Sequence, residues 1–454
     1  MKTYIPVIGL EIHVELKTKS KMFCQCSADY FGAKPNMHVC PVCMGMPGAL
    51  PVPNKTAILW MQMIGRALGC KLKKNSKFDR KHYSYPDLPK GYQISQYDEP
   101  FAVKGKVLIT SPYLKGGAKE FHITRVHMEE DTAKLIHEGT NTLVDFNRSS
   151  VPLVEIVTEP DFSDADDVKT FLEELQVIVR YLGVSDADME KGSMRLEPNI
   201  SVRVAESSKL KDESNNSTFT LPKYKVEVKN INSFKFVKAA IEYEVKRQIE
   251  ILEKGELPKQ ETRGYDDIKG GTYSQRSKEE AQDYRYFPEP DIPPFEFSDE
   301  YISRIEKSLP TLPSTRLAYF ISSYGLKEID AFILTRDKKL ADYFEMVLSN
   351  EKMKNAGQAV ANIIINKKIA TTFSVSEFIT QFLELTKPIM TDTVLLDATV
   401  KAVIHANEKA VTEYTNGKVS VIMFLVGQVM KGMKGKADPS TARKALEEKI
   451  KAKS

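Results

Sequence analysis

The chain has 454 residues, enough for two to four domains, and is 42% hydrophobic and 28% charged, as ordinary globular proteins are. Its 65 Lys/Arg against 61 Asp/Glu leave a net charge of +4, which excludes attachment to nucleic acid by bulk charge, so any RNA contact needs a local patch. No apolar run reaches the roughly 18 residues needed to span a bilayer, and no charged, apolar and cleavable leader pattern occurs over Met1–Ser20, so a cytoplasmic location is expected.

Val7–Leu16 alternates like a strand and carries Glu11, His13 and Glu15 on one face. Next come Cys24-Gln-Cys26, thirteen residues, and Cys40-Pro-Val-Cys43. Two close thiol pairs joined by a short loop can converge on one tetrahedral ion. Zinc prefers four thiolates, and such a closed shell is structural. Reduced thiols or disulfides are the alternatives; without a secretory leader the metal reading is favoured. Cys70 follows a helix-like run, Ala57–Gly69, and reads as a small buried hydrophobe. Lys77–Tyr92 mixes cations and tyrosines around turn-making prolines. It reads as a loop that contacts phosphate or stacks on bases, or as a packing staple.

Further strand-like segments are Tyr92–Val103, Val107–Ile109, Glu120–Met128, Leu143–Phe146, Ser150–Val157, Asn199–Val204 and Tyr224–Val228. Two long helices are predicted: Asp164–Leu182 capped by Ser163, and Phe234–Lys254 capped by Ser233 with Gly255 as its stop. The pattern predicts an α+β fold on a large, mainly antiparallel sheet. Ala205–Leu221 reads as an exposed hairpin loop.

Charges recur inside these strands: Arg125, His127 and Glu129; Glu155; Arg195 and Glu197; Glu227 and Lys229. One such strand reads as a solvated outer face. Five in one domain read as the floor of a nucleotide–Mg²⁺ site, where carboxylates hold the ion and cations hold phosphates. The charged block Arg276–Asp291 either closes that site or anchors a linker.

Phe287–Pro294 holds four prolines in eight residues and reads as an extended connector. Beyond it the pattern is all-helical, in two bundles: Pro313–Gly325, Lys338–Asn350, Ala356–Asn366, Val375–Leu385 and Ala398–Asn407, then Val419–Met433 and Asp438–Ala452, with Pro439 at a first helical position. From Asp397 to Ser454 eleven Lys/Arg face six Asp/Glu, a local RNA-binding patch or a solvated helix face. No internal repeat, Walker phosphate loop or dinucleotide glycine fingerprint occurs.

Several segments carry a resemblance: Val7–Leu16, Cys40–Gly48, Phe78–Tyr83, Tyr85–Gln96, His127–Asp131, Val151–Pro160, Val228–Phe234, Asp283–Asp291 and Phe424–Lys431. In this order, from about residue 3 to 450, the chain resembles the B subunits of the aspartyl/glutamyl-tRNA amidotransferases, the GatB family. It lacks room for the extra domain of the archaeal paralogue. The resemblance implies a glutamine-synthetase-like cradle over 1–295 with a zinc insert at about 22–46, a helical domain over 296–396 and a YqeY-like tail over 397–454.

The implied enzyme is a carbon–nitrogen ligase that takes its amide nitrogen from glutamine. ATP and Mg²⁺ serve to phosphorylate the side-chain carboxylate of glutamate or aspartate on a misacylated tRNA, and ammonia then displaces phosphate. Glu11, His13 and Glu129 are the implied magnesium ligands, with Glu130 as the alternative if the strand phase is off by one; Glu155 and Glu197 complete the catalytic set. Lys81, Tyr83, Arg148, Ser193, Lys229, Asn232 and Ser233 are expected around the nucleotide or acceptor end. Cys24, Cys26, Cys40 and Cys43 are the expected zinc ligands. The expected partners are the family's glutaminase (amidase) chain and its small third chain, because no amidase-type nucleophile segment occurs here. Two positions depart from the family: Glu197 stands where the family has an aspartate, and Gln282 where it has a histidine, so no acid–base role is expected at 282.

Overall fold

The computed structural model describes residues 2–114, 117–206, 221–277, 284–387, 392–434 and 436–452. It forms two compact units, Met1–Glu345 with Lys354–Ile365, and Met346–Met353 with Asn366–Ser454. Among the described residues no helix is long and apolar enough to cross a membrane.

The first unit is built on a nine-stranded sheet. Its spatial order is Gly271–Ser277, Glu261–Asp266, Val226–Lys229, Met194–Glu206, Lys2–Glu15, Pro152–Thr158, Lys119–Glu130, Ala102–Ile109 and Lys71–Leu72. Every pairing is antiparallel except that of Val226–Lys229 with Glu261–Asp266. The expected α+β fold with a large, mainly antiparallel sheet is thus present.

The pleat sorts the central strand: Ile8, Leu10, Ile12 and Val14 are fully buried on one face. They join Val126, Met128, Val154, Ile156, Leu196 and Ile200 in a core that also takes up the apolar sides of three helices, Lys55–Ala67, Ala165–Leu182 and Phe234–Glu253. Phe171 is central, edge-on to both Phe121 and Phe162. Cys70 lies in this core, as expected of a small hydrophobe, and burial pushes its thiol up to about 12. Beside it Gly105 is required by close approach, since a Cβ there would meet Cys70 Sγ at 2.5 Å and Leu68 O at 2.6 Å.

Several boundaries differ from expectation. Asp164, not Ser163, caps the first long helix, its side chain accepting from Asp166 N–H, and Gly183 ends it at φ +72°. Tyr92–Val103 is two strands, Tyr92–Ser95 and Ala102–Ile109, because the polar Gln-Tyr-Asp-Glu-Pro between them turns the chain. Ala102–Ile109 also absorbs the separately expected Val107–Ile109. The hairpin Glu261–Ser277 was not expected, since Thr262, Arg263 and Tyr273 hide its alternation. The loop expected at Ala205–Leu221 lies mostly outside the described residues.

The proline-rich segment is extended, but its backbone pairs within this unit. Phe287–Pro288 adds to Asp79–His82, which also pairs Tyr92–Ser95, and Phe295–Glu296 pairs Asn75–Ser76. Ile292 is buried in the core, and Glu289 holds Arg80 at 2.7 and 2.8 Å. Helices continue this unit through Asp299–Ser308, Pro313–Tyr324 and Glu328–Thr335. Arg66–Glu306 at 2.9 Å, the Arg336–Glu174 pair and Tyr181 Oη donating to Thr335 O at 2.7 Å hold them to the sheet layer.

The second unit is helical. Thr393–Ala406, Glu408–Thr415, Val421–Gly432 and Pro439–Lys451 enclose a separate small core of Leu396, Val400, Leu425, Val429 and Leu446. Asp438 caps the last helix and Pro439 takes its first position, as expected.

Phe171→Ala should cost about 3–5 kcal/mol through the cavity it leaves among stacked rings, read as the shift in a urea unfolding curve. A loss below about 1 kcal/mol would contradict this packing.

Candidate functional site

The other face of the sheet is polar because the same pleat turns every second residue away from the helices. Register aligns these residues across strands: His13 lies opposite Glu155 and Arg195, Glu155 opposite His127, Glu11 opposite Glu197, and Asn199 opposite Glu227. Of these, Glu11, His13, Glu155, Arg195, Glu197 and Glu227 line a hollow of about 910 Å³, with Lys81, Tyr83, Tyr85, Lys229 and Tyr284 among its other walls.

Two acidic groups share it. His13, Glu129 and Glu155 form one, and Glu11, Glu197 and Glu227 the other; within each, one ligand atom per residue lies within 4.8 Å of the rest. His13 Nε2 is 3.4 Å from Glu155 and 3.9 Å from Glu129, and His127 Nε2 is 3.3 Å from Glu155. Glu129 accepts from Ser95 Oγ at 2.8 Å and Gln93 Nε2 at 3.1 Å, and faces Lys81 Nζ at 3.4 Å. Lys229 Nζ lies 2.9 Å from Glu197, and Asn199 Nδ2 donates to Glu11 at 3.0 Å.

The charges hold one another. Burial works against the charge on His13, but its bond to Glu155 and the fields of Glu155, Glu129 and Glu197 outweigh it, lifting the imidazole to about 9. Burial likewise opposes the Glu129 charge, but Lys81 and then His127 hold that carboxyl at about 2. Burial raises Glu197 despite Lys229. Beside these groups, burial and Asp131 push Glu15 well up. Asp131 is itself held low by Arg195 and Arg148 against its own burial.

The donor set fits a divalent cation. Carboxylates and an imidazole are ligands for such ions, and a field that keeps His13 protonated past neutrality is one that positive charge relieves. Asn199 Oδ1, Arg125 Nε and Arg195 Nε are also buried on this face with no protein partner among the described residues, groups a ligand's polar atoms would satisfy.

The four clustered thiols lie near this sheet. Cys24, Cys26, Cys40 and Cys43 bring their Sγ atoms within 4.8 Å of one another, so they can hold a metal. Cys24, Cys43 and Cys70 are buried. The Cys24 bond, against burial and with help from Lys21, lowers the Cys43 thiol to about 5, while burial raises Cys26 to about 11. A pocket that already favours one thiolate suits a thiolate-seeking ion.

Of the residues expected at the site, Glu11, His13, Lys81, Tyr83, Glu129, Glu155, Glu197 and Lys229 line the hollow. Glu11 and His13 fall into different acidic groups. Glu130 points the other way, accepting from Ile94 N–H at 2.9 Å and pairing Lys90 at 2.7 Å. Arg148 donates to Thr132 O and Ala133 O at 2.9 and 3.0 Å, and Ser193 Oγ accepts from Asp188 N–H at 2.8 Å in a turn. Asn232 is exposed, and Ser233 caps Phe234–Glu253 by accepting from Phe236 N–H at 3.2 Å. Gln282 lies outside the described residues.

Gln93, Asp131, Arg195, Glu227 and Thr262 belong to the wall without having been expected as site residues. Alternation marks Arg195 and Glu227 among the strand charges that read together as the floor of a nucleotide–Mg²⁺ site, without assigning either a role. Gln93 and Asp131 lie in segments that carry the family resemblance; for Thr262 no local pattern exists.

Fold and site together define a catalytic domain of the GatB/GatE class: residues 6–303 match the model of the GatB/GatE catalytic domain, and 326–450 that described as the GatB domain. The chain is 45% identical to the B subunit of the aspartyl/glutamyl-tRNA(Asn/Gln) amidotransferase of Dehalococcoides mccartyi strain 195, over 99% of this chain and 100% of the relative. The B subunits of Carboxydothermus hydrogenoformans and Thermotoga maritima are each 44% identical, covering 99% and 98% of this chain. The chain belongs to this family, the B subunits of the aspartyl/glutamyl-tRNA amidotransferases. The naming of these relatives as B subunits implies a multi-subunit, ligase-type amidation complex.

Cys40→Ser should lower the metal content of the purified chain and its thermal stability together. Elemental analysis that finds no zinc in the unaltered protein would refute the metal reading.

Proposed function

We propose that the chain is the carboxylate-activating component of an ATP- and Mg²⁺-dependent tRNA amidotransferase, acting on Glu-tRNA(Gln), Asp-tRNA(Asn) or both. The reading rests on one observation: two acidic groups and the cations Lys81, Arg195 and Lys229 share a single hollow. A carboxylate is a poor electrophile, and phosphorylation supplies the leaving group it lacks. A side-chain oxygen of the RNA-borne amino acid attacks the γ-phosphorus of ATP and ADP departs. Ammonia then adds to the acyl carbon, phosphate leaves with the bonding pair, and the surplus proton on nitrogen passes to the departing phosphate or to solvent.

Phosphoryl transfer needs alignment and charge neutralisation more than covalent help. Bound Mg²⁺ would supply part of that neutralisation at the phosphate oxygens. His13, Glu129 and Glu155 would hold one ion, and Glu11, Glu197 and Glu227 could take another. In Glu197 the extra methylene relative to aspartate still lets the carboxylate meet Lys229 at 2.9 Å. Ser95 and Gln93 keep Glu129 aimed inward. Lys81 and Lys229 would orient phosphates, and Tyr83, Tyr85 and Tyr284 offer faces on which the terminal base can stack. Arg148 acts on this reading through Thr132 and Asp131 of the wall it braces; Glu130, Ser193, Asn232 and Ser233 take no direct part.

Ammonia would come from a separate glutaminase (amidase) chain, with a small third chain bridging the two, since the clustered thiols here are committed to zinc on this reading. We assign the chemistry to a glutamine-synthetase-like cradle over 1–295, a supporting helical domain to 296–396 and RNA binding to the YqeY-like tail over 397–454, in a cytoplasmic enzyme.

In the assembled enzyme, Glu129→Gln should cut ATP turnover with misacylated RNA by at least about 100-fold while RNA affinity hardly changes. Undiminished turnover would favour instead a zinc-containing RNA-binding scaffold whose partner does the chemistry. Deleting 392–454, which removes one small core whole, should weaken RNA binding and flatten its salt dependence while ATP binding persists. Equal RNA affinity with and without this segment would remove it as a binding module.

A further inference from the structure

Lys21 is fully buried, among the largest side chains with no exposure. Lysine is almost never found so unless its charge is compensated. Its Nζ lies 3.2 Å from Phe146 O and 3.8 Å from Cys43 Sγ. The carbonyl offers a dipole but no charge. Among the described residues no carboxylate pairs with this ammonium, so the sulfur of Cys43 is the group in reach that can become an anion.

The thiol cluster has the opposite difficulty. Zn²⁺ held by four thiolates carries a net double negative charge, which is costly to bury. Cys26 and Cys40 are partly exposed, but Cys24 is buried and Cys43 is 1% exposed, so Cys43 must find donors within the protein. Two are present: Cys40 N–H at 3.2 Å and Lys21 Nζ. The Lys21 backbone is fixed by the same loop, its N–H donating to Cys26 O at 2.9 Å.

Resting on the reading of these thiols as a zinc site, we infer that Lys21 is the outer-sphere counter-ion of that site. It donates to the Cys43 sulfur, halves the net charge of the buried cluster and so slows the loss of the ion. Its second bond, to Phe146 O, ties this charge to the segment that clamps the thiol loop. There Asn147 accepts from His38 N–H at 2.8 Å and donates to Lys34 O at 2.8 Å. Lys21 is therefore a positioning residue for the metal and touches no reacting atom.

The test uses the full chain as purified, with Lys21→Met and Lys21→Gln beside the unaltered protein. Zinc is counted by elemental analysis, and its transfer to excess pyridylazoresorcinol is timed, with far-ultraviolet circular dichroism as the check on folding. Both variants should surrender zinc about tenfold faster or more, as loss of outer-sphere partners does elsewhere. Lys21→Met should be the faster, because Lys21→Gln keeps a neutral donor. If Lys21→Met does not fold, Lys21→Gln alone decides. Zinc release from a folded variant at the unaltered rate overturns the inference. An unaltered chain that holds no zinc removes the metal site itself, which is a separate failure.

Discussion

Everything in the first unit depends on how charge is kept on one side of a pleated strand. In Lys2–Glu15 the even positions Ile8 to Val14 are sealed under helices, while Glu11, His13 and Glu15 turn to the other face. The side-chain period of two cannot drift without exchanging these sets. Neighbours on both sides repeat the pattern in register, so acids, imidazoles and cations from four or five strands meet without any loop bringing them there. Most of these groups are tolerated at low exposure because they find an opposite charge, and most of the pKa displacements in the hollow run in the direction that keeps both partners ionised. Glu15 and Glu197 are the exceptions: burial pushes both toward the neutral acid, helped at Glu15 by the neighbouring Asp131.

This logic explains what the amino-acid sequence discloses and what it conceals. Alternation locates the central strands, and the recurrence of Glu, His, Arg and Lys at alternate positions marks their polar face. It cannot say which strands become neighbours. The separation of Glu11 from His13 into two acidic groups follows from pairing: Glu197 and Glu227 arrive from one side of the central strand, Glu155 and Glu129 from the other. Glu129 and Glu130 are equivalent as letters, and only the phase of the strand sends one inward and the other to Lys90. Ser193 and Ser233 are expected around the nucleotide or acceptor end, yet their hydroxyls are spent on a turn and a helix cap, local backbone needs that override a place at the site.

The thiol cluster is legible for a different reason. Its spacing is local, so few residues suffice to predict convergence, and the short separation between pairs leaves little freedom. What spacing cannot supply is its setting. Lys21, one position in a polar run ahead of Cys24, carries no mark of burial, and its seat beside Cys43 depends on a carbonyl 125 positions away.

Arg80 and Lys81 are consecutive on the four-residue strand Asp79–His82 and point opposite ways. Lys81 faces Glu129 in the hollow, and Arg80 grips Glu289 of the proline-rich segment through two bonds while lying over the ring of Tyr92. Prolines stiffen that segment and limit how it can yield. The proline-rich segment and the hollow are therefore joined through adjacent residues of one short strand: losing Glu289 would leave Arg80, the immediate neighbour of Lys81, without its bidentate partner.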